Sequence, residues 1–163
     1  MTSERIKGMF SKSKNRLLAP ASGRAISLES VSDEVFSSKM LGEGFAIEPE
    51  TGVFFSPADG VIEGVSETLH AYTIHTSDGL DVLVHIGIDT VELGGKGFSS
   101  CVDVGEKVKA GDVIARADIA FIRSKGFATV TPVIVSNHEK LSSFELNLGK
   151  ATGGETAVMN YKL

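Results

Sequence analysis

The chain lacks any run approaching the roughly 18 consecutive apolar residues of a membrane span, and its N-terminus is too polar for a secretory signal. It is therefore expected to stay in the cytosol. Cysteine is nearly absent: Cys101 is the only one, which excludes an intramolecular disulfide and a cysteine-based metal cluster and leaves a reduced, half-buried thiol as the expectation. A net charge of −5 supplies no general basic face, so nucleic acid is not expected as a partner. Long stretches of helical period are missing as well, which argues for a mainly β chain.

The charge is unevenly placed. Residues 1–16 carry Arg5, Lys7, Lys12, Lys14 and Arg16 against Glu4, a balance of +4 that leaves −9 for residues 17–163. The first segment reads as a flexible basic leader. Ile6, Met9 and Phe10 stand at helical spacing within it, which suits weak contact with an anionic membrane surface. The remaining 17–163 is long enough for one domain with a sizeable core.

What is abundant is glycine, 18 in 163 residues, between short runs rich in Val, Ile, Phe and Thr. The pattern predicts strands over 25–28, 44–47, 53–56, 60–65, 70–75, 81–86, 113–117, 129–135 and 145–148. Asp33 and Asp118 are placed to cap short helical turns at 33–36 and 119–125. One echo runs through the chain: Leu18-Ala19-Pro20-Ala21-Ser22-Gly23 resembles Phe55-Ser56-Pro57-Ala58-Asp59-Gly60. In each, Pro presets φ and Gly is expected to supply a positive φ leading into a strand. The fold class that follows is all-β, an antiparallel sandwich or barrel of two related halves with short helical connectors. A second glycine-flanked unit, Gly105 to Asp112, reads as a hairpin with Val108 pointing inward.

Three of the four histidines, His70, His75 and His85, lie around one turn, Thr76-Ser77-Asp78-Gly79. If His75 pairs with Leu80, His70 falls opposite His85, with Cβ atoms roughly 4.5–5.5 Å apart. If the loop is only Asp78-Gly79, the two become diagonal neighbours on the same face. Alternation turns His75 to the other face on either register, outside any paired site.

A neutral imidazole has a ring-nitrogen lone pair that can attack phosphorus, and a second imidazole beside it can hydrogen-bond the phosphoryl oxygens during in-line transfer. Thr68, two residues before His70, falls on the same strand face, where its hydroxyl can orient that ring.

The run Val84-His85-Ile86-Gly87-Ile88-Asp89-Thr90-Val91-Glu92-Leu93, with Gly97-Phe98 after it, resembles the glucose-type IIA (EIIA) components of the bacterial phosphoenolpyruvate:sugar phosphotransferase system. The resemblance extends to Ser32-Asp33-Glu34-Val35-Phe36, to Lys39-Met40-Leu41-Gly42-Glu43-Gly44-Phe45-Ala46-Ile47, to Thr68-Leu69-His70-Ala71 and to Thr131-Pro132-Val133-Ile134-Val135-Ser136-Asn137. Only the basic leader lies outside it.

The resemblance implies a β-sandwich of the duplicated hybrid type with His85 as the phosphorylated residue, His70 as its partner and Thr68 as the supporting hydroxyl. The implied donor is the phosphocarrier HPr, and the implied acceptor is a cysteine on a sugar-specific IIB domain. No cofactor is required, although His70 and His85 bind Zn²⁺ where a partner supplies a further ligand. No IIB or IIC segment is present, so the chain reads as a stand-alone IIA or one separated from its other domains. An apolar rim suits docking and release, and Val35, Phe36, Met40, Leu41 and Leu83 are its candidates, Phe36 foremost. Ile86 alternates with Val82 and Val84 and is expected in the core. A zinc hydrolase is a weaker reading because the sequence has no H-x-H pair, and a swinging-lysine carrier because no attachment context surrounds the lysines near Gly105.

Overall fold

The computed structural model describes residues 15–163. The leader expected over 1–16 therefore lies almost wholly outside the described residues. Its last residue, Arg16, is already a strand residue paired with Asn160, so the ordered unit begins earlier than the charge pattern suggested.

The described residues form fourteen short strands: β1 (Arg16–Leu18), β2 (Gly23–Ser27), β3 (Glu43–Pro49), β4 (Val53–Phe55), β5 (Gly60–Val65), β6 (Ala71–Thr76), β7 (Asp81–His85), β8 (Phe98–Ser100), β9 (Lys107–Val108), β10 (Val113–Ala117), β11 (Thr131–Val135), β12 (Ser143–Leu146), β13 (Gly149–Ala151) and β14 (Ala157–Lys162). An eight-stranded sheet runs β13-β2-β3-β11-β7-β6-β5-β9, beside two three-stranded sheets, β4-β10-β8 and β1-β14-β12. The large sheet has free edges at β13 and β9, so the architecture is a sandwich and not a closed barrel.

Alternation explains why the strands stay in register. Phe45, Ile47, Ile62, Tyr72, Ile74, Val82, Val84, Val133 and Val135 leave the inner face of the large sheet and meet Leu17, Phe54, Ile114, Val158 and Met159 from the small sheets in one core. Burial of each such side chain contributes roughly 1.5–3 kcal/mol relative to exposure, and a one-residue slip would expose a whole strand's set. Strand β11 is buried on both faces, because Ile134 packs outward into a second cluster with Ala46, Leu28, Val31 and Phe36. The segment carrying Leu28, Val31 and the short helix Glu34–Ser37 thus lies over the outer face of the large sheet. Asp33 opens that helix by accepting from the Val35 N–H at 2.9 Å, and Asp118 opens the helix Ile119–Ser124 by accepting from the Phe121 N–H at 3.0 Å.

The internal echo is a structural clasp. The Leu18 N–H donates to Pro57 O at 2.9 Å and the Phe55 N–H donates to Pro20 O at 2.7 Å, so the two copies bind each other reciprocally. The role of their final glycines differs from expectation: Gly60 has no positive φ. Close approach explains both, since an added Cβ would stand 2.0 Å from Glu48 O at Gly23 and 2.2 Å from His75 O at Gly60. Cys101 is exposed, not half-buried as expected. No helix among the described residues is long and apolar enough to cross a membrane.

Candidate active site

His85 ends β7 on the outer face of the large sheet, opposite Ala71, because Val82, Val84 and Ile86 take the inward positions. The next turn fixes its ring. Gly87 has φ +80°, and its carbonyl oxygen lies 2.7 Å from His85 Nδ1. A carbonyl only accepts, so Nδ1 carries the proton, and the neutral ring presents its lone pair at Nε2. Phe36 covers one side of the ring, with centroids 5.1 Å apart and planes tilted by 56°. Burial lowers the His85 pKa below the ordinary 6.5, outweighing the Gly87 carbonyl and the carboxylates of Asp33 and Asp89, which act in the opposite direction.

His70 arrives from a tight turn just ahead of β6. The Leu69 N–H donates to Ser66 O at 2.9 Å, Leu69 has φ +61°, and Ser66 Oγ accepts from the N–H groups of His70 and Ala71 at 3.2 and 3.1 Å. The ring is held by a 2.7 Å hydrogen bond between Nδ1 and Thr68 Oγ1, with Ser66 Oγ at 3.3 Å. It stands edge-on to His85, centroids 4.8 Å apart and planes at 82°. Only 7% exposed, His70 has its pKa pushed down to about 4, first by burial and second by His85. Both rings are therefore neutral near pH 7, one offering a lone pair and the other beside it.

The route to this pairing is not the one the strand arithmetic anticipated. In the observed register His75 faces Asp81 and Ala71 faces His85, between the two registers considered. The reversal spans Thr76 to Leu80: Thr76 Oγ1 donates to Asp78 Oδ1, the Tyr161 hydroxyl donates to Asp78 Oδ2, and Asn137 and Lys140 donate to Gly79 O. Those distant donors select the loop, and residue-by-residue turn chemistry could not anticipate them. On this register His75 shares the outer face with His85, and what separates it from the pair is four residues of strand, about 13 Å. His70 meets His85 because it sits outside β6, after the left-handed Leu69, where alternation no longer applies.

Residues 15–141 match the family model for the phosphoenolpyruvate-dependent sugar phosphotransferase system, EIIA 1. The chain belongs to this EIIA family. It is 40% identical over 159 residues to the PTS system glucose-specific EIIA component of Buchnera aphidicola subsp. Baizongia pistaciae, covering 93% of this chain and 95% of that one. The counterpart from Haemophilus influenzae is 38% identical over 146 residues, covering 90% and 88%. Among solved structures, the glucose permease IIA from Mycoplasma capricolum superposes with a TM-score of 0.82 at 36% identity, covering 88% of this chain and 94% of that one.

Around the paired rings of this EIIA chain, the five residues expected at the rim divide. Val35, Met40 and Leu41 are exposed, Met40 at 77%, and Leu83 is partly buried. Phe36, expected foremost among them, is only 6% exposed and packs its ring against that of His85. Val91, six residues beyond His85 in the chain, is exposed and was not among the expected rim residues. Also unanticipated were the Gly87 carbonyl, the Ser66 hydroxyl and the acidic pair Asp33 and Asp89. Gly87 stood in the sequence motif, but a backbone acceptor leaves no side-chain signal. As metal donors, two imidazoles fill half of a tetrahedral Zn²⁺ shell and leave the rest to another molecule.

Proposed function

We propose that the chain is a cytoplasmic phosphocarrier that takes a phosphoryl group from phospho-HPr on His85 Nε2 and gives it to a cysteine of the IIB domain of a glucose-family permease. The observation that carries this reading is the His85 ring itself, with its Nδ1–H committed to Gly87 O and its Nε2 free, edge-on to a second neutral imidazole. In the first step the Nε2 lone pair forms a bond to phosphorus as the P–N bond of the donor phosphohistidine breaks, and the donor ring leaves with that electron pair. In the second, a cysteine thiolate attacks the same phosphorus and the bond to Nε2 breaks. The Gly87 carbonyl stabilises positive charge on the His85 ring through both steps.

His70 is assigned the phosphoryl oxygens. In the tautomer in which Thr68 Oγ1 donates to its Nδ1, the ring carries its N–H on Nε2, where it can donate to an oxygen of the transferring group. Thr68 is thus a positioning residue. Val35, Met40, Leu41 and Leu83 form the docking rim, and the carboxylates of Asp33 and Asp89 beside His85 favour a basic partner surface. No cofactor takes part, and Zn²⁺ at His70 and His85 requires a ligand from a partner. Residues 17–163, joined by Arg16 through β1, are assigned as the working domain, and the basic segment before them is assigned weak membrane contact.

The test is incubation with phosphoenolpyruvate, enzyme I and HPr, followed by mapping of an acid-labile phosphate. The label is expected on His85 and absent from His85→Ala. His70→Gln is expected to take up phosphate but to donate it poorly, and His75→Ala to transfer like the wild type. Normal labelling of His85→Ala would overturn the assignment.

A further inference from the structure

We infer that Glu63, His75 and Asp81 form a binding site for a divalent transition cation of the Zn²⁺ type, separate from the His70 and His85 pair. The three residues come from three adjacent strands, β5, β6 and β7. His75 faces Asp81 directly across one strand pair. Glu63 reaches the same place through a β-bulge: Ile62 pairs with Ile74 and Gly64 with Thr73, so Glu63 is the extra residue. His75 Nδ1 lies 2.7 Å from Asp81 Oδ1 and 3.2 Å from Glu63 Oε1, and all three donor atoms fall within 4.8 Å of one another.

Charge and donor type both point to a metal ion. Among the described residues neither carboxylate has a lysine or arginine at ion-pair distance; each is paired with His75 alone. With His75 neutral the cluster carries two negative charges, and even a protonated ring leaves one uncompensated. The nearest lysine along this cross-strand row, Lys107, pairs with Val61, which in turn pairs with His75, so one strand stands between it and the imidazole. One imidazole and two carboxylates suit Zn²⁺ and its neighbours better than Ca²⁺ or Mg²⁺, which favour all-oxygen shells.

The two spacings from His75 are close to those of a filled site, and the third, between Glu63 and Asp81, is no more than 4.8 Å. Donors about 2.0–2.2 Å from a tetrahedral centre lie about 3.3 Å apart. The imidazole and Glu63 already meet that spacing, and Asp81 has to withdraw by about half an ångström as a neutral ring gives its Nδ1 proton to solvent, takes one from solvent on Nε2 and binds the metal through Nδ1. The backbone beneath is fixed, because the Asp81 N–H donates to Asn137 Oδ1 at 2.8 Å and Asp81 O accepts from the Ser136 N–H at 2.9 Å. The fourth position faces solvent and is left to water.

The test is titration of the full chain with Zn²⁺ alone, by calorimetry, in a His70→Gln/His85→Gln background that removes the other imidazole pair. One equivalent is expected to bind. Adding His75→Gln is expected to weaken binding at least tenfold, and Glu63→Gln and Asp81→Asn each to weaken it tenfold or more. All three side chains are on the surface, and circular dichroism verifies that each variant is folded; Glu63→Gln, on the bulge, serves if Asp81→Asn fails to fold. Absence of binding up to millimolar Zn²⁺, or binding unchanged by His75→Gln, would overturn the inference. So would binding lost entirely in the His70→Gln/His85→Gln background.

Discussion

The titration of His70 makes the burial of the site measurable. Folding holds this imidazole at about 4, against 6.5 for the ordinary group. Near pH 7.5 the ring is neutral in folded and unfolded chains alike, and it contributes nothing to the pH dependence. Below pH 6.5 the unfolded chain binds a proton that the folded chain refuses until about pH 4, so stability falls across that window as pH falls. At 1.36 kcal/mol per tenfold difference in proton affinity, the full loss is about 3 kcal/mol. With the ring only 7% exposed, solvent screens little of it. The perturbation is His70→Gln, and the assay is urea unfolding at half-unit steps from pH 8 to 4. Protonation of surface carboxylates is common to both proteins and cancels in the difference. His85 is lowered in the same direction and stays in both, so the difference reports His70 together with its coupling to His85. Between pH 7 and 4 the wild type is expected to lose about 3 kcal/mol more than the variant. Parallel profiles would refute the reasoning, because they would mean that His70 protonates freely in the folded chain.

Two further substitutions probe the walls of the site. Gly87→Ala places a Cβ 2.5 Å from Thr90 Cγ2 and 2.9 Å from Ala128 O at a residue with φ +80°, while Thr90 is itself tied to Ile86 O. It is expected to cost about 2–4 kcal/mol and to slow phosphoryl uptake by displacing the carbonyl that holds His85, and a stability change under 0.5 kcal/mol would contradict this. Phe36→Ala empties a side chain that packs on His85 and the outer cluster, and a loss of about 3 kcal/mol is expected by urea unfolding. Because burial is the largest cause of the lowered His85 pKa, the same variant is expected to raise that pKa in an NMR titration; no rise would show that Phe36 does not desolvate the ring.

What could be read from the sequence follows physical range. Alternation is local, so the buried set Val82, Val84 and Ile86 was legible, as were the Asp33 and Asp118 caps, whereas the faces of β6 came out reversed: parity with His70 put Tyr72 and Ile74 on the site face, and they are buried in the core. Strands too short to alternate, such as β1, β8 and β13, were not expected, nor was β14, whose partners β1 and β12 come from opposite ends of the chain. The echo around Pro20 and Pro57 was visible as sequence, but its function as a reciprocal clasp depends on two carbonyls meeting across the core.

The histidine hairpin shows how a face argument depends on the ends of strands. Period-two reasoning holds only inside β6, and within β6 the observed register sets His75, not His70, on the face of His85. His70 joins His85 because Leu69 adopts a left-handed conformation one residue earlier and Ser66 folds the chain back on itself. Side-chain chemistry at Thr68 and Ser66 therefore brings the rings together, and strand parity alone would have placed His70 in the core. The same register explains why His75 is no simple bystander: sharing the outer face, it lies between two carboxylates that inward burial would have forbidden. A one-residue shift in the hairpin would bury His75 and separate it from Asp81, so the Asp78 contacts with Thr76 and Tyr161 that set the loop also hold the cluster of Glu63, His75 and Asp81 in place.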